Sequence, residues 1–149
     1  MNKVINHFQQ IMEGKESGPP VAYLVGFRPV EVSEGYAVFE LQTEEKHANP
    51  MGTVHGGIIC VLADSAMGSA YMTLLAEDET FTTVELKINF LKPVWKTRLL
   101  ATAKVVKKGR TIGLVECDVF DDHHHLIARA SGTCMTLSGK KAESRNLWR

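Results

Sequence analysis

Residues 53–72 read TVHGGIICVLADSAMGSAYM, and from Gly56 to Ala76 only Asp64 carries a charged side chain. A helix that is apolar all round has to be enclosed, so the rest of the chain must supply its cover. About 20 apolar residues can also span a bilayer. That reading is rejected here: an Asp in the first half is expensive in lipid, the run is rich in Gly, Ala and Ser, and no second span or basic flank accompanies it. The run is read as the central helix of a soluble fold, and Asp64, if buried, is either paired or functional.

The cover comes from strands. In TVELKINFL, Val84, Leu86, Ile88 and Phe90 alternate with Glu85, Lys87 and Asn89, the period-two signature of a strand with one buried face, and Pro93 ends it. Three more strands follow at about 98–106, 112–120 and 126–137, joined at Lys108-Gly109-Arg110 and at Asp121-Asp122-His123-His124. Two others precede the helix, Leu24 to Val32 and Tyr36 to Thr43, turning at Ser33-Glu34-Gly35. Short connections imply antiparallel pairing. A long apolar helix and a sheet with one apolar face must bury each other. The expected fold is therefore α+β, a curved antiparallel sheet wrapped around one long central helix.

The chain's 149 residues suit a single domain, 1–149, with its core at about 20–137. Residues 1–14 place Val4, Ile5, Phe8, Ile11 and Met12 at helical spacing, unlike the unbroken apolar block of a secretory signal. GKESGPP is a linker, and 138–149 is read as a loosely ordered polar tail broken only by Leu147 and Trp148. Seventeen basic and seventeen acidic residues cancel, which excludes broad attraction to nucleic acid or anionic lipid as the working principle. Cys60, Cys117 and Cys134 lie in apolar surroundings without a CxxC pair, as reduced thiols of a cytoplasmic protein do.

The chemistry concentrates before and within the helix. Asn49, Pro50, Gly52, His55, Gly56 and Gly57 lead into a helix N-terminus, whose free N–H groups attract negative charge and could hold the oxygen of a reacting carbonyl. Asp64 lies eight residues past Gly56, about 12 Å along the axis at roughly 1.5 Å per residue. That is too far for both to act on one carbonyl. Two antiparallel helices in a homodimer would bring the first turn of one chain beside Asp64 of the other, forming two equivalent sites. A dry interface suits a carboxylate to general-base work.

The combination N-x-x-G-x-x-HGG, an Asp nine residues after the His, the strand TTVELKINFLKPV and a basic-Gly-Arg turn resembles the hotdog-fold acyl-CoA thioesterases. The likeness is to the phenylacetic-acid-degradation type, related to 4-hydroxybenzoyl-CoA thioesterase, and covers about residues 20–137. It implies that Gly56 polarises the thioester oxygen through its N–H, that Asn49 positions the carbonyl or the water, and that His55 shapes the pocket with Gly57 against the substrate. Asp64, from the opposite subunit, would activate water or attack the carbonyl, and Thr83 would hold that carboxylate or the water. Lys107, Lys108, Gly109 and Arg110 would meet the coenzyme A phosphates, with Lys92 and Lys96 as further candidates. The CoA thioester is then the substrate, no cofactor is needed, and the homodimer pairs into a dimer of dimers. Some relatives place a His on the last strand near the leaving thiolate, where this chain reads Ala130-Ser131-Gly132-Thr133, so help for the leaving group is unassigned.

Other readings of single residues are plainer. His123-His124-His125 alternate in direction near a turn, which suits a solvated hairpin better than a shared metal ion. Cys60 among Ile, Val and Leu is an inert thiol, and Met67, Tyr71 and Met72 are core. The competing functions are a hotdog hydratase or dehydratase, needing a His paired with an acid for which only His55 could serve, and a non-catalytic acyl-CoA-binding protein. Aromatic, short-chain and medium-chain acyl groups all remain open.

Overall fold

The computed structural model describes residues 2–145. Asn2 opens helix α1 (Lys3–Met12): its side-chain oxygen accepts from the Val4 and Ile5 N–H groups while its amide donates to the Thr73 carbonyl at 2.6 Å. Phe8 turns inward and meets the Phe39 ring edge-on. Where a strand was expected from Leu24, the chain forms a short helix, α2 (Pro20–Val25). Pro20 at its first position has its φ already set for a helix, and Gly26 at φ +95° stops it in a left-handed conformation that a side chain would resist.

The first hairpin pairs β1 (Phe27–Ser33) with β2 (Tyr36–Gln42). The apolar run forms α3 (Gly56–Met72), followed by β3 (Glu79–Phe90), β4 (Arg98–Lys108), β5 (Ile112–Phe120) and β6 (Leu126–Ser138). All neighbours are antiparallel, in the order β1-β2-β4-β5-β6-β3, so β1 and β3 are the edges. Helix α3 rests mainly against β2, β4 and β5. Leu62, Ala63, Ala66, Ala70 and Tyr71 are fully buried beneath it with Leu41, Leu99, Ala101, Val115 and Val119. On β2, Glu40 is nearly buried and takes both Arg28 and Arg98 on its carboxylate, tying β1, β2 and β4 together on the outer face.

Helix α3 ends at Met72 rather than running to Ala76. Thr73 explains the stop: its hydroxyl donates to the Ala70 carbonyl at 2.7 Å and accepts from the Gly35 N–H at 2.8 Å, fastening the helix end to the β1–β2 turn. Strand β3 starts earlier than its alternation suggested, and its face is not continuous. A bulge between Thr83 and Glu85 breaks the register with β6, leaving Val84 55% exposed, while Phe90 at the strand end is 53% exposed. The expected buried set of four thus reduces to Leu86 and Ile88, both half-buried. The tail is not wholly irregular either, since Lys140–Glu143 form a helical turn, α4. Leu147 and Trp148 lie outside the described residues.

Candidate active site

The segment between β2 and α3 is a closed loop. A single 3-10 turn, Glu45–His47, enters it. Ala48 bridges Val54, the His55 N–H donates to the His47 carbonyl at 2.8 Å, and the Asn49 N–H to the Thr53 carbonyl at 2.7 Å. Asn49 spends its side chain on this loop. Its amide donates to Thr53 Oγ1 at 2.7 Å and its oxygen accepts from the Met51 N–H at 3.0 Å, the local turn chemistry at which Asn excels. Gly52 at φ +85° lets the chain reverse.

His55 caps α3. Its Nδ1 accepts from the Gly57 N–H at 2.8 Å, so the proton of the neutral ring sits on Nε2, which meets no acceptor among the described residues. This assigns the glycines different roles. The Gly57 N–H is occupied by the cap, whereas the Gly56 N–H has no acceptor among the described residues and stands at the positive end of a 17-residue helix. The Phe90 ring lies across Gly56 so closely that a Cβ there would sit 2.8 Å from a ring carbon. A wall of this kind flanks the free N–H, and Phe90 was not singled out in the sequence because its alternation marked it as core.

Two turns further along α3, the half-buried Asp64 accepts a hydrogen bond on Oδ1 from Thr83 Oγ1 at 3.0 Å. The bulge after Thr83 sets this contact, because it changes which residues of β3 face the helix. Cys134, opposite Thr83 on β6, has its thiol pushed up to about 11 by burial and by the Asp64 charge. Burial and Asp64 also raise the Cys60 thiol, so neither sulfur is a ready nucleophile beside the carboxylate. The structure therefore brings Thr83 to Asp64 at the middle of α3 within one chain and leaves Asn49, His55 and Gly56 at the helix's N-terminal end.

An open groove of about 820 Å³ runs beside the loop, lined by Gln42, Glu44, Asn49, Val54, Trp95 and Lys96 among others. Neither Gly56 nor Asp64 lines it, so its size does not make it the reaction centre. The basic turn lies at the far end of the sheet. Lys108 pairs with Glu79 at 3.7 Å, Gly109 closes the hairpin by donating to the Ile112 carbonyl at 2.8 Å, and Lys107 and Arg110 make no ion pair among the described residues. Lys92 contacts His125 at 2.9 Å, which places it beside the β5–β6 turn. There Asp121, which burial pushes up, is held down at about 2 by bonds from the His125 ring and the His125 and His123 N–H groups. Among the described residues no three His, Cys, Asp or Glu side chains gather as a metal ion requires, and no helix is long and apolar enough to cross a membrane. On β6, Gly132 packs on Met67, and Thr133 donates to Glu85 at 2.9 Å, leaving no imidazole there for a leaving group.

Comparison with known proteins adds a family signature. Residues 51–128 match the Thioesterase superfamily. A protein named as an esterase in Saccharolobus solfataricus is 37% identical over 112 residues, covering 74% of this chain and 79% of that one. The 1,4-dihydroxy-2-naphthoyl-CoA hydrolase of Listeria monocytogenes is 29% identical over 117 residues, covering 78% of this chain and 95% of its own. Among solved structures, a phenylacetic acid degradation-related protein of Ralstonia eutropha superposes with a TM-score of 0.78 at 26% identity, covering 87% of this chain and 99% of that one.

Proposed function

Since the chain belongs to the thioesterase superfamily and is a thioester hydrolase of hotdog fold, we propose that its substrate is an acyl-CoA, hydrolysed at sites shared between the two chains of a homodimer. The observation that carries this reading is the half-buried Asp64, fixed by Thr83 within an otherwise apolar helix and about 12 Å along the axis from the free Gly56 N–H. One chain holds a base and another point on the same chain holds an electrophilic donor. An antiparallel α3 pair joins them.

The sheet edges favour that pairing. Edge β1 is blunted by Pro29 at a register shift and flanked by α1 and α2. Edge β3 is 12 residues long and carries exposed Val84 and Phe90, with exposed Leu91 next to it. A second copy covers such a strip with matching apolar surface.

In the proposed reaction the thioester carbonyl oxygen accepts from the Gly56 N–H, with the His55 Nε2–H on its rim. Asp64 takes a proton from a water held by Thr83, and the water oxygen bonds to the carbonyl carbon. The carbonyl π electrons move to the oxygen at the helix N-terminus, where the dipole stabilises them. Collapse re-forms the C=O and breaks the C–S bond; the CoA thiolate leaves with the C–S bonding pair and is protonated from solvent, and Asp64 returns its proton to solvent. A hydratase needs a His–acid pair, and His55 meets no carboxylate among the described residues.

Free-thiol release from phenylacetyl-CoA, 4-hydroxybenzoyl-CoA and straight-chain acyl-CoAs tests the reading. Wild type should turn over at least one class, and Asp64→Asn should lose about 10²–10⁴-fold while remaining folded, the range for removing a general base. No turnover on any member, with CoA ligands still bound, would make this a binding protein instead.

A further inference from the structure

His47 is a buried polar side chain of the loop that no part of the proposed chemistry uses, 2% exposed. A buried imidazole must satisfy both nitrogens. Nδ1 lies 2.9 Å from the Glu44 nitrogen, and since that group is an N–H, Nδ1 must accept. The ring proton is therefore on Nε2, which donates to the Val25 carbonyl at 2.7 Å. Val25 ends α2, so this carbonyl is one of the orphan acceptors that every helix C-terminus leaves behind. The backbone of His47 is equally engaged. Its N–H donates to the Glu44 carbonyl at 3.0 Å, and its own carbonyl accepts from the His55 N–H at 2.8 Å.

These bonds form a chain with a direction. Helix α2 and the 3-10 turn fix the His47 ring; the His47 carbonyl fixes the His55 backbone; His55 Nδ1 then captures the Gly57 N–H, and this leaves the Gly56 N–H as the unclaimed donor. We propose that His47 is a positioning residue, a buried pin that sets where the Gly56 N–H and the His55 ring point without itself touching substrate. The inference rests on the role proposed for Gly56. Its mechanical part, the pinning of the cap, does not.

A pin of this kind acts on rate more than on binding, because an oxygen donor displaced by about 1 Å can cost on the order of 10²-fold while distant contacts to the substrate persist. The two nitrogens are also separable. A Gln side chain reaches as far as Nε2 and can still donate to Val25, whereas Ala loses both bonds.

The test combines amide hydrogen exchange with turnover in His47→Ala and His47→Gln. In His47→Ala the His55 and Gly57 amides should lose about tenfold or more of their protection, with Leu62 and Ala66 inside α3 unchanged, since local openings report only the bonds they break. The kcat should fall about 10–100-fold with KM within about threefold, and His47→Gln should recover most of both losses. Should His47→Ala not fold, His47→Gln alone still reads the effect, as a smaller change of the same sign. Unchanged protection at His55 and Gly57 in both variants overturns the proposal, and so does lost protection with wild-type kcat per folded molecule. If wild type hydrolyses no thioester while the exchange pattern changes as described, the acyl-CoA reading fails and the pin stands.

Discussion

Gly56 and Gly113, like Gly68 under Phe81, face aromatic rings in the space a Cβ would fill, and these two differ in everything around that contact. Gly113 on β5 lies under Tyr71, where an added Cβ would come within 2.3 Å of a ring carbon; Gly56 lies under Phe90, at 2.8 Å. Tyr71 is fully buried, stacks obliquely on Phe81 at 5.7 Å, and its hydroxyl is 2.8 Å from Thr136 Oγ1. Phe90 is 53% exposed at the end of an edge strand. The first contact closes the core on the side of α3 that the chain covers by itself. The second stands at the side it leaves open, beside the free Gly56 N–H. One helix thus has a flank closed by packing and a flank that carries the proposed chemistry.

The largest expected effect follows from the closed flank. Gly113→Ala should cost about 1–3 kcal/mol or more, because a buried, hydrogen-bonded ring has nowhere to go, and the urea midpoint should fall accordingly. On the open flank a change should be felt in rate rather than stability. Thr83→Val keeps shape and volume but removes the donor to Asp64 Oδ1, so turnover should fall about tenfold, equivalent to about 1.4 kcal/mol, with little shift in the urea midpoint. A stability loss as large as that of Gly113→Ala would erase the distinction between the flanks. Gly56→Ala is the matched control for Gly113→Ala: Phe90 can swing into solvent and Ala favours helix, so the cost should stay below about 1 kcal/mol.

The smallest effect belongs to neither flank. Asp121 is held at about 2 against an ordinary 3.8, so its contribution to stability is complete above the unfolded value and is lost as pH falls through the folded one. Urea midpoints of wild type and Asp121→Asn should therefore differ at pH 5, and the gap should shrink as pH falls through about 2. A constant gap over that window would remove the hydrogen bonds of the β5–β6 turn as its cause.

Strands β4, β5 and β6, marked off by their turns, and the unbroken apolar run of α3 were legible because they express one physical demand, mutual burial of a helix and a sheet face. The misread elements are those where a local device overrides that pattern. Pro20 and Gly26 turn an apolar stretch into α2, Thr73 ends α3 early, and the bulge at Val84 sends that member of the expected β3 face to solvent. Of the proposed site, Asp64, His55 and Gly56 were visible as residue types at informative spacing, and Thr83 through the family resemblance alone. The division of labour was not. Asn49 folding back on Thr53, and the Gly57 N–H being spent on His55, depend on loop geometry that no periodicity encodes. His47 carried no signal at all, since its importance lies in a bond to Val25, 22 residues away.

The measurement that bears most directly on a site built from two chains is complementation in mixed dimers. Asp64→Asn removes the base, and Gly56→Pro removes the N–H at a helix position that tolerates proline. After subunit exchange, half of the dimers are mixed, and each mixed dimer pairs one doubly damaged site with one intact site, so about a quarter of wild-type turnover should return from two inactive parents. If exchange is verified by mass and the mixture stays as inactive as its parents, Asp64 and Gly56 do not meet across an interface.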